Sequence, residues 1–185
     1  NTYIDLFYRM VKESKTESRN GKIRGFPMNM GCHTNSGAKI PPIREYWKSQ
    51  KEDVTQYVGI AIDEPLRLDR VVQSKNQVSL LQKYEYTEEM SRQKCIEYDL
   101  LSPIYNFSNR GGCWFCPNQK MQELRHLRDN HKELWNKLIE LSKNDTANPY
   151  FNTFRKTTVQ GLEEQFMWED RQMNIFDYIK ESEVV

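Results

Sequence analysis

No apolar run in this 185-residue chain approaches the ~20 residues needed to cross a bilayer, and its start lacks the basic, apolar and small-residue order of a secretory signal. Both absences predict a cytoplasmic protein with no membrane contact. Neither sign of charge dominates, since 27 Lys and Arg stand against 26 Asp and Glu. So nearly cancelled a field gives no reason to expect bulk nucleic-acid binding or attachment to an anionic membrane, and leaves only local patches. There is no internal repeat and no low-complexity tract. Cysteine is limited to Cys32, Cys95, Cys113 and Cys116. In a reducing cytoplasm such thiols stay reduced unless they bind metal or do redox chemistry, which argues against a disulfide framework.

Hydrophobic residues make up 37% of the chain, enough for one modest core. The chain begins at Asn1 and enters an apolar pattern at once, with Tyr3, Ile4, Phe7, Met10 and Val11 on one helical face, which predicts a fragment of something longer. Glycines then mark a loop, and Pro41 and Pro42 favour a helix start carrying Ile43, Tyr46 and Trp47. "YVGIAI", residues 57–62, is the best strand. Thr87 is placed to cap a helix that carries Cys95 and ends near Asp99. Met121, Leu124, Leu127, Leu134, Leu138 and Leu141 mark amphipathic helices broken near Asn130. "NDTANP" reads as a linker before a last helix whose Phe166, Met173 and Phe176 pack back on the body. The expected organisation is a body over residues 1–145 and a helical tail over 146–185.

The stretch "NRGGCWFCPNQK" carries the chemistry. A Cys-x-x-Cys turn puts two sulfurs on one side of a tight loop, where one tetrahedral ion or one cluster can take both. Gly111 and Gly112 permit the backbone angles of such a knuckle and Pro117 ends it. As half a metal site the signal is strong. Cys32, in a Gly-rich loop, and Cys95, late in a helix, are the natural donors for the other half, giving an all-thiolate set compatible with zinc or with a four-iron cluster. Other readings stay open: Cys95 as a small buried apolar residue, Cys113 and Cys116 as a redox dithiol, and His33 in place of one thiolate. Trp114 and Phe115 are expected to pack and shield the metal. His126 and His131 are five apart, about 140° around a helix, and so read as surface residues.

"DEPLRLDR" follows the best strand, where open α/β sheets hold their ligands. Arg67, with Lys39, Arg24 and Arg70, suits an anion: Arg offers a planar donor fork and Lys a point charge. The alternative is a solvated salt-bridge cluster of Arg67 with Asp63 or Glu64.

Taken in order, "GFPM", Cys32 with "KIPPIREY", "YVGIAIDEPLRLDR", "YTEEMSRQKC" and "LLSPIY…RGGCWFCPN" resemble the C-terminal part of proteins similar to phosphoadenosine phosphosulfate reductases, in the bacterial and phage branch that carries "GCWFCP". The likeness runs over most of residues 20–140. It implies a helix-rich α/β chain, the C-terminal part of a PP-loop, Rossmann-like fold of the adenine nucleotide α-hydrolase-like group, with a cysteine metal-binding loop. It also implies an adenine nucleotide or sulfonucleotide-like ligand held by Lys39, Asp63, Glu64 and Arg67, to which Arg24 is added on its anion-reading chemistry alone, and a centre on Cys32, Cys95, Cys113 and Cys116. The chain departs from the pattern in four places. No Ser-Gly-Gly-x-Asp-Ser phosphate loop occurs, Pro65 stands where Ser is frequent, Cys32 is single where the iron–sulfur reductases have a Cys-Cys pair, and no cysteine follows Cys116. Sulfonucleotide reduction through a C-terminal cysteine is therefore not expected, and no catalytic residue is assigned. Two functions follow as expectations. One is part of a nucleotide-activating or sulfur-transferring enzyme, with nucleic acid as a conceivable substrate and oligomerisation open. The other is a non-catalytic, metal-stapled module that binds protein or nucleic acid.

Overall fold

Thr2 begins the first helix through a reciprocal cap: its hydroxyl accepts from the Asp5 amide at 3.2 Å and the Asp5 carboxylate accepts from the Thr2 amide at 2.7 Å. The computed structural model describes residues 2–27, 32–50, 53–109 and 111–182, with the side chains of 173–182 outside that description. Met28 and Gly31, from the two runs before Cys32, lie outside the described residues, as do the side chains of Met173 and Phe176. The chain is mixed α/β and rich in helix. It divides into two compact units, residues 1–42 with 111–185, and residues 43–110. The division does not follow the expected boundary at 145, because the tail supplies Phe151, Val159, Leu162 and Phe166 to the same core as Phe7 and Leu138.

In the first unit α1 (Tyr3–Phe7) is shorter than its apolar pattern predicts. Met10 instead bridges to Ile23, and Ile23 bridges in turn to Thr146. The "NDTANP" stretch is thereby tied to the body and is no free linker: the Ala147 amide donates to the Ile23 carbonyl at 2.7 Å. This close approach fixes Gly25, whose φ is +86° and whose added Cβ would stand 2.8 Å from the Thr146 Cβ. Gly25→Ala should cost about 1–3 kcal/mol, read as a lower urea midpoint; an unchanged midpoint would contradict this packing.

The proline pair produces a different helix from the one expected. Helix begins before Pro41 and Pro42, with Asn35–Lys39 wound as a π-helical turn that continues into α2 (Ile40–Ser49). Proline has no N–H and its ring crowds the carbonyl four residues back. Widening to the five-residue repeat, in which the Ile40 amide donates to the Asn35 carbonyl, relieves that crowding. Against this turn lies α1, close enough that a Cβ on Gly37 would meet the Leu6 methyls at 3.0 and 3.2 Å.

As their periodicity predicts, α6 (Met121–Asn130) and α7 (Lys132–Ser142) form with a break at Asn130, and bury Leu124, Leu127, Trp135, Leu138 and Leu141. The last helix, α8 (Val159–Ser182), packs on them through Leu162 and Phe166. A charged clamp holds this contact. The Arg128 guanidinium donates to both Glu163 oxygens at 3.0 and 3.1 Å and to Asp170 at 2.9 Å, while Arg125 donates to Asp129, Glu169 and Asp170. Trp135 Nε1 donates to the same Glu163 at 2.5 Å. The Glu163 hydrogen bonds hold the Arg128 proton above the ordinary arginine range, against the opposing effect of desolvation.

The second unit is a small β–α–β arrangement. β1 (Gln56–Val58) and β2 (Gln77–Ser79) run parallel with Tyr57 opposite Val78, joined through α3 (Pro65–Val72). The strand stops at Val58, short of the 57–62 run, and residues 59–62 turn away: the Ile62 amide donates to the Tyr86 carbonyl, and the Ser79 hydroxyl to the Ile60 carbonyl at 2.6 Å. α4 (Leu80–Lys83) follows β2, and α5 (Glu88–Glu97) begins where the sequence predicts, its Met90 amide donating to the Thr87 hydroxyl at 3.2 Å. Ala61, Leu68 and Val71 are buried here, while Tyr57, Leu66, Val72, Tyr84, Tyr98 and Leu100 are exposed. No helix among the described residues is long and apolar enough to cross a membrane.

Candidate metal centre

The knuckle is two successive tight turns. The Cys116 amide donates to the Cys113 carbonyl at 2.9 Å and the Gln119 amide to the Cys116 carbonyl at 3.3 Å, so both cysteine side chains leave one short, constrained loop. Gln119 braces it by donating from Nε2 to the Cys113 carbonyl at 3.1 Å, and Asn152 donates to the Pro117 carbonyl at 2.6 Å from the far end of the unit. Phe115 and Pro117 are buried, and Cys113 and Cys116 are half-buried. Phe115 lies flat on Tyr3, with ring centroids 3.4 Å apart and planes 5° from parallel, and Trp114 meets the same tyrosine edge-on at 5.8 Å. The two aromatic residues of the knuckle thus pack, as expected of them.

The widened turn before α2 delivers a cation to this loop. Lys39 Nζ lies 3.4 Å from Cys113 Sγ. The ammonium is thus a hydrogen-bond donor to the first sulfur of the knuckle. Cys32, at the head of the same helical segment, is exposed, and both it and Cys113 bear on the titration of the Tyr3 phenol. Burial is the largest cause raising that phenol well above the ordinary tyrosine range, followed by Cys113 and then Cys32. His33, next to Cys32, is held down at about 4, chiefly by burial and then by Arg24 and Arg9. Its ring is therefore neutral at pH 7, the form that can accept a proton or ligate.

Four buried polar atoms of this unit have no hydrogen-bond partner among the described residues: Tyr3 Oη, His33 Nε2, Thr34 Oγ1 and Gln119 Oε1. All four belong to the knuckle, to the aromatic ring stacked on it, or to the segment leading to Lys39. Buried polar atoms are paired in the great majority of cases, and these four are exceptions to that rule. The donor set fits half of a metal site. Among the described residues no three His, Cys, Asp or Glu side chains gather closely enough to hold an ion. Thiolates drawn together without a cation would repel one another, so the ion that assembles such a site also stabilises the fold around it.

The remaining predicted residues fall in the second unit. Cys95 is half-buried and lines a cleft of about 600 Å³ with Asp63, Arg92 and Tyr105. Asp63 accepts from the Glu88 amide at 3.1 and 3.3 Å, so its carboxylate completes the N-terminus of α5. Glu64 accepts from the Ala61 amide at 3.3 Å and pairs with Arg67, which matches the salt-bridge alternative read from the sequence. Arg24 and Lys39 thus stand in one unit with Cys32, Cys113 and Cys116, and Asp63, Glu64, Arg67 and Cys95 in the other.

Two features escaped the sequence reading. His126 and His131 come together, with ring centroids 5.7 Å apart, because α6 ends between them and the 140° helical separation no longer applies. Tyr3 belongs to the apolar helical stripe of the sequence, yet it is the aromatic floor of the knuckle. Its signal was the polar tip on a residue otherwise patterned for the core. No family model matches this chain, and neither a curated protein nor a solved structure does.

Proposed function

We propose that the Cys113–Cys116 knuckle is the primary half of a thiolate metal centre, with Cys32 of the same unit as a further donor, in part of a cytoplasmic PP-loop enzyme similar to phosphoadenosine phosphosulfate reductases. The observation that carries this reading is Lys39 Nζ at 3.4 Å from Cys113 Sγ, beside a braced two-cysteine turn. Zinc bound there would act as a structural staple, and a four-iron cluster would handle electrons or sulfur. Lys39 offsets the negative charge of a multi-thiolate site, Trp114 and Phe115 keep water from it, and Arg24 adds a second cation to the same unit for an anionic adenine nucleotide or sulfonucleotide-like ligand. A sulfur-transferring enzyme of this kind would act on a small molecule or on nucleic acid.

A second reading is favoured by one specific observation. Asp63, Glu64 and Arg67, expected to face the nucleotide, are engaged in capping α5 and in pairing with each other. A non-catalytic module stapled by metal needs nothing more from them. Anaerobic purification followed by metal analysis and ATP-binding calorimetry separates the two. The enzyme reading expects stoichiometric zinc or iron together with nucleotide affinity that drops about tenfold or more in both Arg24→Ala and Arg67→Ala. Metal without any nucleotide affinity would leave the module.

A further inference from the structure

We propose that Arg9 and Arg24 together form a binding site for a tetrahedral oxyanion, a phosphoryl or sulfate group, on the first unit. The inference rests on the reading of Arg24 as an anion-binding cation, adds Arg9 to it, and needs no metal. The backbone brings the two residues together. Met10 bridges to Ile23 in antiparallel sense, the Arg24 amide donates to the Arg9 carbonyl at 2.9 Å, and the Val11 amide donates to the Lys22 carbonyl at 2.9 Å. Arg9 and Arg24 are therefore directly opposite residues, and their side chains leave the same face of this short ladder from Cβ atoms about 5 Å apart.

Like charges directly opposite each other destabilise a strand pair, and here nothing of the other sign offsets them. Among the described residues no carboxylate pairs with either guanidinium. Their basic neighbour is matched, since Lys22 on the same ladder pairs with Asp145 at 2.8 Å, and Asp5 of the preceding helix is engaged by the Thr2 amide. Arg24 is half-buried, so water solvates its charge only in part and an anion offsets that cost. Each guanidinium presents a planar donor fork matched to two oxygens of phosphate or sulfate, and two forks on one dianion bring the site close to neutrality. His33 lies in the field of both guanidiniums, and its buried Nε2 has no hydrogen-bond partner among the described residues. A neutral imidazole carries one N–H, so this ring can add a donor beside the charged forks.

The experiment is thermal unfolding of the full chain in phosphate, in sulfate and in sodium chloride at matched ionic strength. It compares the unaltered protein, Arg9→Gln, Arg24→Gln and, as a control, Arg155→Gln, an exposed arginine of the same unit. The general stabilisation that these oxyanions give by exclusion from protein surfaces is common to all four. Beyond it, the unaltered protein and Arg155→Gln should gain roughly 3–6 °C at phosphate about tenfold above its dissociation constant, and Arg9→Gln and Arg24→Gln should both lose that gain. In chloride Arg9→Gln should melt no lower than the unaltered protein, since the like charge opposite Arg24 is gone. The arginine-dependent gain, compared between phosphate and sulfate, tells which group the site prefers. Equal gains in all four proteins, or a loss confined to Arg24→Gln, would overturn the shared site. Should the variants fold poorly, phosphorus-31 NMR of inorganic phosphate with the unaltered chain gives the second readout: line broadening that added sulfate relieves is expected, and no broadening would refute the proposal. These results are expected whether or not the chain holds metal or binds ATP, so failure of the enzyme reading and failure of this site are told apart.

Discussion

Cys113→Ser is expected to lower the melting temperature of the zinc-loaded protein by roughly 8–16 °C, and to make it indifferent to chelator. The size follows from linkage. At free zinc a thousandfold above the dissociation constant, binding to the native state alone contributes about 4 kcal/mol, and for a chain of this length each kcal/mol moves the transition by roughly 2–4 °C. The coupling is direct because the knuckle is built into the core of its unit. Phe115 is part of the same cluster as Leu124, Leu138 and Phe166, and Asn152 holds the Pro117 carbonyl from the chain that leads into α8. Loosening the turn therefore loosens the stack on Tyr3 and the seat of α1. The measurement is thermal unfolding by circular dichroism with and without chelator. Equal melting temperatures for the two proteins in excess zinc would show that no stabilising metal is held at Cys113.

Phe166→Ala is expected to cost about 3–5 kcal/mol, the usual loss when a buried aromatic ring is truncated to a methyl. The ring is 2% exposed and tilted against Trp135 at 5.9 Å, and it lies under two guanidiniums, Arg125 at 5.3 Å and Arg128 at 5.9 Å. Both cations are tied to acidic residues of α8, so the ring stands beneath the clamp as well as inside the core. Removing it leaves a cavity and takes away the surface on which both arginines rest. The loss is read from urea denaturation at a fixed zinc concentration. A cost below about 1 kcal/mol would mean that α8 is held by its ion pairs and not by its apolar face.

The parts of this fold that the sequence made legible are those set by local rules. The Leu124, Leu127, Leu138 and Leu141 stripe gave α6 and α7 because helical periodicity needs no partner to be read, and Thr87 marked α5 because a cap is satisfied within three residues. The knuckle was legible for the same reason: two thiols, a Gly pair and a Pro lie within a few positions. What was hidden depends on contacts distant in sequence. Nothing near Thr146 shows that it lies against Gly25, and nothing near Pro41 shows that the helix runs through it, since the π-helical turn that admits the proline rings is a property of the backbone before them. Asp63 carries the clearest lesson at the candidate site. Its place after the best strand suggested a ligand, but a carboxylate there also suits the vacant amides at the start of α5, and that is where it points. Lys39 shows the converse, since its contact with Cys113 required the unexpected turn.

The central claim, that the Cys113–Cys116 turn binds metal through sulfur, is tested most directly by X-ray absorption at the metal edge of the anaerobically purified chain. The account predicts a first shell of sulfur, at about 2.3 Å if the metal is zinc, with two of those scatterers lost when Cys113 and Cys116 are both changed to Ser. A first shell made only of nitrogen and oxygen, or a sulfur shell that the double substitution leaves undiminished, would contradict it.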